Sequence, residues 1–205
     1  MSDALIVSLY SFIRTLVGIV VRPYETYRRI ILKGTSWELL FVGALLSVYF
    51  TVNAIVKTPA FRPFVLTRHF VKTSVAVLVT ALFVSWLLWI VGKCFGGKGE
   101  YKRFLLGWSY TLIPTLCWFF FTSLLYVIIP PPRTTHPTGV ALSLVFLTIS
   151  AVLFFWKIIL SYLSLRFGLK LDLVRILGIL LICAPVIGIY SIGMYRLGIF
   201  RVPFL

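Results

Sequence analysis

A chain of 205 residues with 60% hydrophobic content and a mean hydropathy of +1.05 carries more apolar surface than one globular core hides, which excludes an ordinary soluble domain. Its 20 basic residues against 5 acidic ones give a formal charge of +15, yet the charges cluster between long uncharged runs, so anionic lipid head groups explain the balance better than nucleic acid. Cys94, Cys117 and Cys183 stand far apart, without the spacing of a zinc site or a disulfide framework.

In chain order, Met1-Ser2-Asp3 followed by Arg14 inside the first apolar stretch is the wrong charge order for a cleavable signal peptide, so the start is expected to be retained. Ala4, Ser8, Ser11, Thr15, Gly18 and Arg22 recur at helical spacing as a small or polar stripe, the pattern of a helix lying in the interface rather than of a sixth crossing. Pro23 suits the first position of a second short helix over 24–33, with Glu25 and Arg29 as an i,i+4 pair and Gly34 as its stop. Residues 1–36 are thus amphipathic interfacial helices on the cytoplasmic side.

About 20 residues at 1.5 Å rise cross a hydrocarbon core of about 30 Å. Five windows pass that test: 37–56, 73–91, 104–128, 140–156 and 176–195, none with a basic residue and with Glu38 the only acid. The fold class is therefore all-α, an integral membrane bundle of five transmembrane helices (37–205) preceded by the interfacial helices. The connections 57–72, 92–103, 129–139 and 157–175 are too short for a soluble domain. With the N-terminus inside, the inner segments carry 13 Lys and Arg and the outer ones 7, which predicts N-in and C-out.

Each candidate site has a structural reading beside the chemical one. Residues 92–98 satisfy G-x-x-x-x-G-K, but Gly99 replaces the Ser or Thr that would hold magnesium and the run follows a span, so a flexible interhelical turn is expected. Thr35-x-x-Glu38 is the pattern of a capping box, and Asp172 suits an N-cap before the fifth span. His69 and His136 fall in outer loops far from any nucleophile, and the spans hold no paired acids and no HExxH, so no catalytic, cofactor or metal residue is assigned and no cofactor is expected. Thr111, Thr115 and Thr122 share a face with Trp118 in the third span, while Pro114 and Pro185 are expected to kink the third and fifth. Small residues one turn apart, Gly43 with Ser47, Ala81 with Ser85 and Ala184 with Gly188, permit close helix packing in lipid. Asn53 is the single asparagine and glutamine is absent, a composition that suits a hot-living source but that bilayer spans, which exclude amides, account for as well.

The string Gly96-Gly97-Lys98-Gly99-Glu100-Tyr101-Lys102-Arg103-Phe104, followed by Gly107-Trp-Ser-Tyr110-Thr-Leu-Ile-Pro114, resembles the Yip family, the Ypt-interacting membrane proteins. Arg22-Pro23-Tyr24-Glu25-Thr26-Tyr27 is similar to the proline-led amphipathic helix before that family's first span. The resemblance implies a five-span, N-in and C-out layout and, for eukaryotic members, vesicle traffic with Rab-type GTPases. The long cytosolic N-terminal region with its Asp-Leu-Tyr-Gly-Pro element is missing here, which argues against Rab contact and makes this compact form look like the prokaryotic branch, in a cytoplasmic membrane.

These features imply a non-enzymatic protein that organises lipids or a membrane or cytoplasmic protein partner at the cytoplasmic face, with self-association as a further expectation. Arg22, Arg28, Arg29, Lys98, Lys102 and Arg103 are the expected contacts. The alternative from the sequence is a small-solute or ion transporter or channel along the polar face of the third span.

Overall fold

The computed structural model of the chain describes residues 2–57, 63–128 and 137–198, and among these no strand occurs. The elements are α1 (Ser2–Val21), α2 (Pro23–Lys33), α3 (Ser36–Lys57), α4 (Pro63–Cys94), α5 (Tyr101–Ser109), a 3-10 turn (Tyr110–Leu112), α6 (Ile113–Ile128), α7 (Pro137–Leu169) and α8 (Leu173–Arg196). Five stretches are long and apolar enough to cross a bilayer: Ser36–Ile55, Phe70–Cys94, Tyr101–Leu125, Gly139–Leu169 and Leu173–Arg196. They coincide with the five windows expected from hydropathy. Helices are the available solution, because hydrocarbon offers backbone N–H and C=O groups no partner outside the segment itself.

Within the bundle α3 packs on α4 and α6, α6 on α7, and α4 on α8, with a smaller contact between α7 and α8. Hydropathy marks where the chain is apolar but not where a helix stops, and here the helices run well into the expected loops. α7 has 33 residues, about 50 Å at 1.5 Å per residue, more than a core of about 30 Å requires. Its stretch through Leu147, Phe154, Phe155 and Ile159 is exposed, whereas Leu160, Leu163, Ser164, Leu165 and Leu169 are buried. The expected loop 157–175 thus shrinks to three residues between α7 and α8. Of the expected loop 129–139, residues 129–136, His136 included, lie outside the described residues while 137–139 already belong to α7, and His69 falls within α4 rather than in a loop.

Two cores meet at that buried end. One joins Phe12, Ile19, Tyr27, Ile30, Val42, Leu106, Tyr110 and Leu160 from α1, α2, α3, α5, the 3-10 turn and α7. The other joins Leu88, Phe104, Leu165, Leu169, Leu171 and Ile176 from α4, α5, α7 and α8. Phe104 and Leu106 serve different cores, so α5 is the wall between them. The third span changes its winding near the expected kink: α5 ends at Ser109, three residues wind as 3-10, and α6 follows with Pro114 in its first turn, where the Ile113 N–H already bonds the Tyr110 carbonyl and the missing proline N–H costs little. Pro185 stays inside α8.

Lys170 closes α7 with a φ of 56°, a left-handed conformation that costs an L-residue roughly 1–2 kcal/mol. Lys170→Gly is expected to raise thermal stability in detergent by about 1 kcal/mol, the relieved strain being partly offset by glycine's larger chain entropy. A lowered midpoint would show instead that the lysine side chain contributes more than its backbone costs.

Candidate functional site

The candidate site is built from the N-terminal helices upward. Pro23 opens α2 as its fixed φ favours, and the elbow from α1 is held by Arg22 N–H donating to the Gly18 carbonyl at 2.8 Å and Thr26 N–H to the Arg22 carbonyl at 3.1 Å. Gly18 lets the two helices meet, since a Cβ there would stand 2.5 Å from the Thr26 hydroxyl oxygen. The middle of the small and polar stripe of α1 faces the protein: Ser8 and Thr15 are buried and Ser11 and Gly18 are half-buried, while Arg22 at its end is exposed. The opposite face, with Ile6, Val7, Tyr10, Ile13, Val17 and Val20, is exposed. At Gly34 the chain is extended rather than left-handed, and the glycine is needed because a Cβ would run into the Ile30 carbonyl and the Leu106 side chain.

Glu38 is buried at 1% exposure and does not close a capping box with Thr35. The Tyr110 hydroxyl donates to its Oε2 at 2.5 Å and the Ser11 hydroxyl to its Oε1 at 3.2 Å, while Thr35 Oγ1 donates to Ser8 Oγ at 3.4 Å. Short contacts within one turn satisfy a helix start, but these bonds join α1, α3 and the 3-10 turn. Burying a carboxylate costs several kcal/mol unless such donors replace its water. The Tyr27 hydroxyl is buried beside this knot in the same core, and desolvation pushes its pKa well above the ordinary tyrosine value.

The glycine-rich turn is bolted down rather than flexible. Gly96 takes a φ of 85°, its N–H bonds the Lys93 carbonyl at 3.0 Å and the Gly97 N–H bonds the Gly92 carbonyl at 2.9 Å, a Schellman closure of α4. Lys98 N–H then donates to the Leu169 carbonyl at 3.0 Å, tying the turn to the end of α7. Gly99 passes so close to Gly168 that no side chain fits. Trp89 Nε1 donates to the Gly99 carbonyl at 3.3 Å, and Arg175 reaches the Phe95 carbonyl at 3.4 Å. Further along, Gly107 lies against Ile31 and Ser164.

This packing brings the expected basic contacts to one end. Arg28, Lys98 and Lys102 are exposed. Arg22 pairs with Glu25 at 3.7 Å, in place of the expected Glu25–Arg29 pair, and Arg103 pairs with Glu100 at 3.3 Å while donating to the Ile31 carbonyl at 3.4 Å. Arg29 instead donates to Thr15 Oγ1 at 3.2 Å. Arg29 also joins Arg14 and Lys33, two cations outside the expected set, around a cleft of about 170 Å³ between α1, α2 and the start of α3. Asp172 stands at the N-cap of α8 without a side-chain cap bond.

Of the small-residue pairs, Ser85 is fully buried and meets the Tyr101 hydroxyl at 3.1 Å, with Ala81 half-buried one turn before it. Gly43 and Ser47 are exposed, and nothing lies within 4 Å of where a Gly43 Cβ would sit, so within one chain that pair packs on no helix. Ala184 is exposed and Gly188 half-buried. In the third span Thr111 donates to the Trp108 carbonyl at 2.7 Å and Thr122 to the Phe119 carbonyl at 2.9 Å, while Trp118 Nε1 donates to Ser150 of α7 at 2.8 Å. Among the described residues no three His, Cys, Asp or Glu gather as metal ligands would.

Five apolar spans with a tightly packed helical layer at one end define a polytopic α-helical membrane protein. Residues 17–195 match the Yip1 domain, and the chain belongs to the Yip1-domain family. No curated protein and no solved structure matches it.

Proposed function

We propose that this chain organises lipids or a protein partner at one membrane face, without chemistry of its own, and that this face is cytoplasmic, with the N-terminus in and the C-terminus out. The observation that carries the reading is that Arg28, Lys98 and Lys102 are exposed on α2, the glycine-rich turn and α5, with α2 packed on α5, while α1, packed on α2, leaves an apolar side exposed. A rigid turn suits docking, since a surface already ordered loses little entropy on binding.

Crosslinking in native membranes, followed by purification and mass spectrometry, is expected to recover a stoichiometric partner joined through Lys98 or Lys102. Recovery of the chain alone, with neither protein nor enriched lipid, would sink the reading. Orientation is tested separately. In a background lacking the native cysteines, Lys98→Cys is expected to react with an impermeant maleimide only from the cytoplasmic side, and labelling from the outer side would reverse the topology.

A further inference from the structure

The cleft between α1, α2 and the first turn of α3 differs chemically from the basic end around it. Arg14, Arg29 and Lys33 share its wall, and among the described residues none of them is ion-paired. The hydrogen bond from Arg29 to Thr15 at 3.2 Å holds that guanidinium in place while leaving other N–H groups for a ligand. Glu38 closes the floor, but at 1% exposure its two oxygens already accept from Tyr110 and Ser11. Three cations against one occupied carboxylate leave the cleft positive. Like charges held together repel, and an anion between them removes that repulsion.

The flank decides which anion. Val7 and Tyr10 line the cleft, and both are 67% exposed on the apolar side of α1 that continues through Ile13 and Val17. A soluble anion gains nothing from such a surface, whereas an amphiphile satisfies both parts at once. Size points the same way: about 170 Å³ falls short of the roughly 300–1,000 Å³ that enclose a drug-sized ligand, but suffices for a head group whose chains remain outside. Guanidinium forks match phosphate oxygens bidentately.

We infer that this cleft seats the phosphodiester head group of an anionic glycerophospholipid, with its acyl chains along the outward face of α1. The assignment rests on the reading of this end as a membrane-facing surface and adds a defined lipid site to it.

The test uses the full chain, purified in detergent, titrated with phosphatidylglycerol or phosphatidylcholine of matched chains and read by native mass spectrometry. Phosphatidylglycerol is expected to be retained about tenfold more tightly than phosphatidylcholine, a difference of about 1.4 kcal/mol. Arg14→Gln with Lys33→Gln should abolish that preference and Arg14→Lys with Lys33→Arg should keep it, whereas Arg28→Gln with Lys98→Gln and Lys102→Gln, which removes one more charge outside the cleft, should cost distinctly less of it. Equal retention of the two lipids by the parent chain overturns the site. So does an equal loss in the Arg28, Lys98 and Lys102 variant, which would assign binding to the diffuse basic end and leave the proposed function standing. Displacement of phosphatidylglycerol by glycerol 1-phosphate at equal concentration would overturn the lipid in favour of a soluble phosphate ester. Failure to recover a protein partner in native membranes touches none of these outcomes.

Discussion

Gly99→Ala is expected to lower the unfolding midpoint of the detergent-solubilised protein more than any other single methyl group added at this end. The new Cβ would occupy the space of the Gly168 carbonyl and stand 3.0 Å from the Leu169 Cα, both backbone atoms. Neither side can yield cheaply. The Lys98 N–H to Leu169 carbonyl bond at 3.0 Å and the Trp89 bond to the Gly99 carbonyl hold the two turns together, and Leu169 is itself fully buried. A loss of about 3 kcal/mol is expected, in the range of overpacked or strained core sites, which corresponds to roughly 6–12 °C in a chain of this size. Gly193→Ala is the matched control: it lies in α8 with nothing within 4 Å, so it should gain about 0.5–1 kcal/mol from helix propensity alone. A Gly99→Ala midpoint equal to the parent's would mean that the turn is free to move, and the rigid docking surface would lose its basis.

Tyr110→Phe carries the second large effect, because it takes from Glu38 its shorter hydrogen bond in a place water does not reach. Hydrogen bonds to charged groups contribute about 1.5–3 kcal/mol, and the cost here should fall near the upper end since the carboxylate stays buried. Glu38→Gln weakens the same bond from the other side and leaves Ser11 with a neutral acceptor. If the two residues act as a pair, the double variant should be less destabilised than the sum of the singles by at least about 1 kcal/mol. Additivity within about 0.5 kcal/mol would show that Tyr110 and Glu38 contribute independently, and the knot joining α1, α3 and the 3-10 turn would not exist as a unit. Ser11→Ala, at 3.2 Å on the other oxygen, should cost less.

Hydropathy and punctuation were enough for the bundle. The five spans, the proline-led start of α2 and the position of the change in winding near Pro114 are all local properties, set by how many apolar residues follow one another and by where a ring removes an N–H. The string from Gly96 to Pro114 marked the right region, because glycines at a tight turn leave a signature in composition. What those glycines do was not legible: Gly96 is needed for its left-handed φ, but Gly99 and Gly107 are needed for neighbours on α7 and α2 that lie far away in sequence. The same limit governed Glu38. Three residues after a threonine, it carries the local pattern of a helix cap, and only the folding of α1 and the 3-10 turn onto α3 supplies Ser11 and Tyr110 as stronger partners. Arg14 and Lys33 stand 19 positions apart with no shared motif, so their common cleft exists only once α2 has folded back along α1. Sequence by itself determined the solvent each segment requires, since that follows from composition along the chain. Tertiary structure decided which polar groups meet, since partners separated by tens of residues are chosen by packing and not by any local preference.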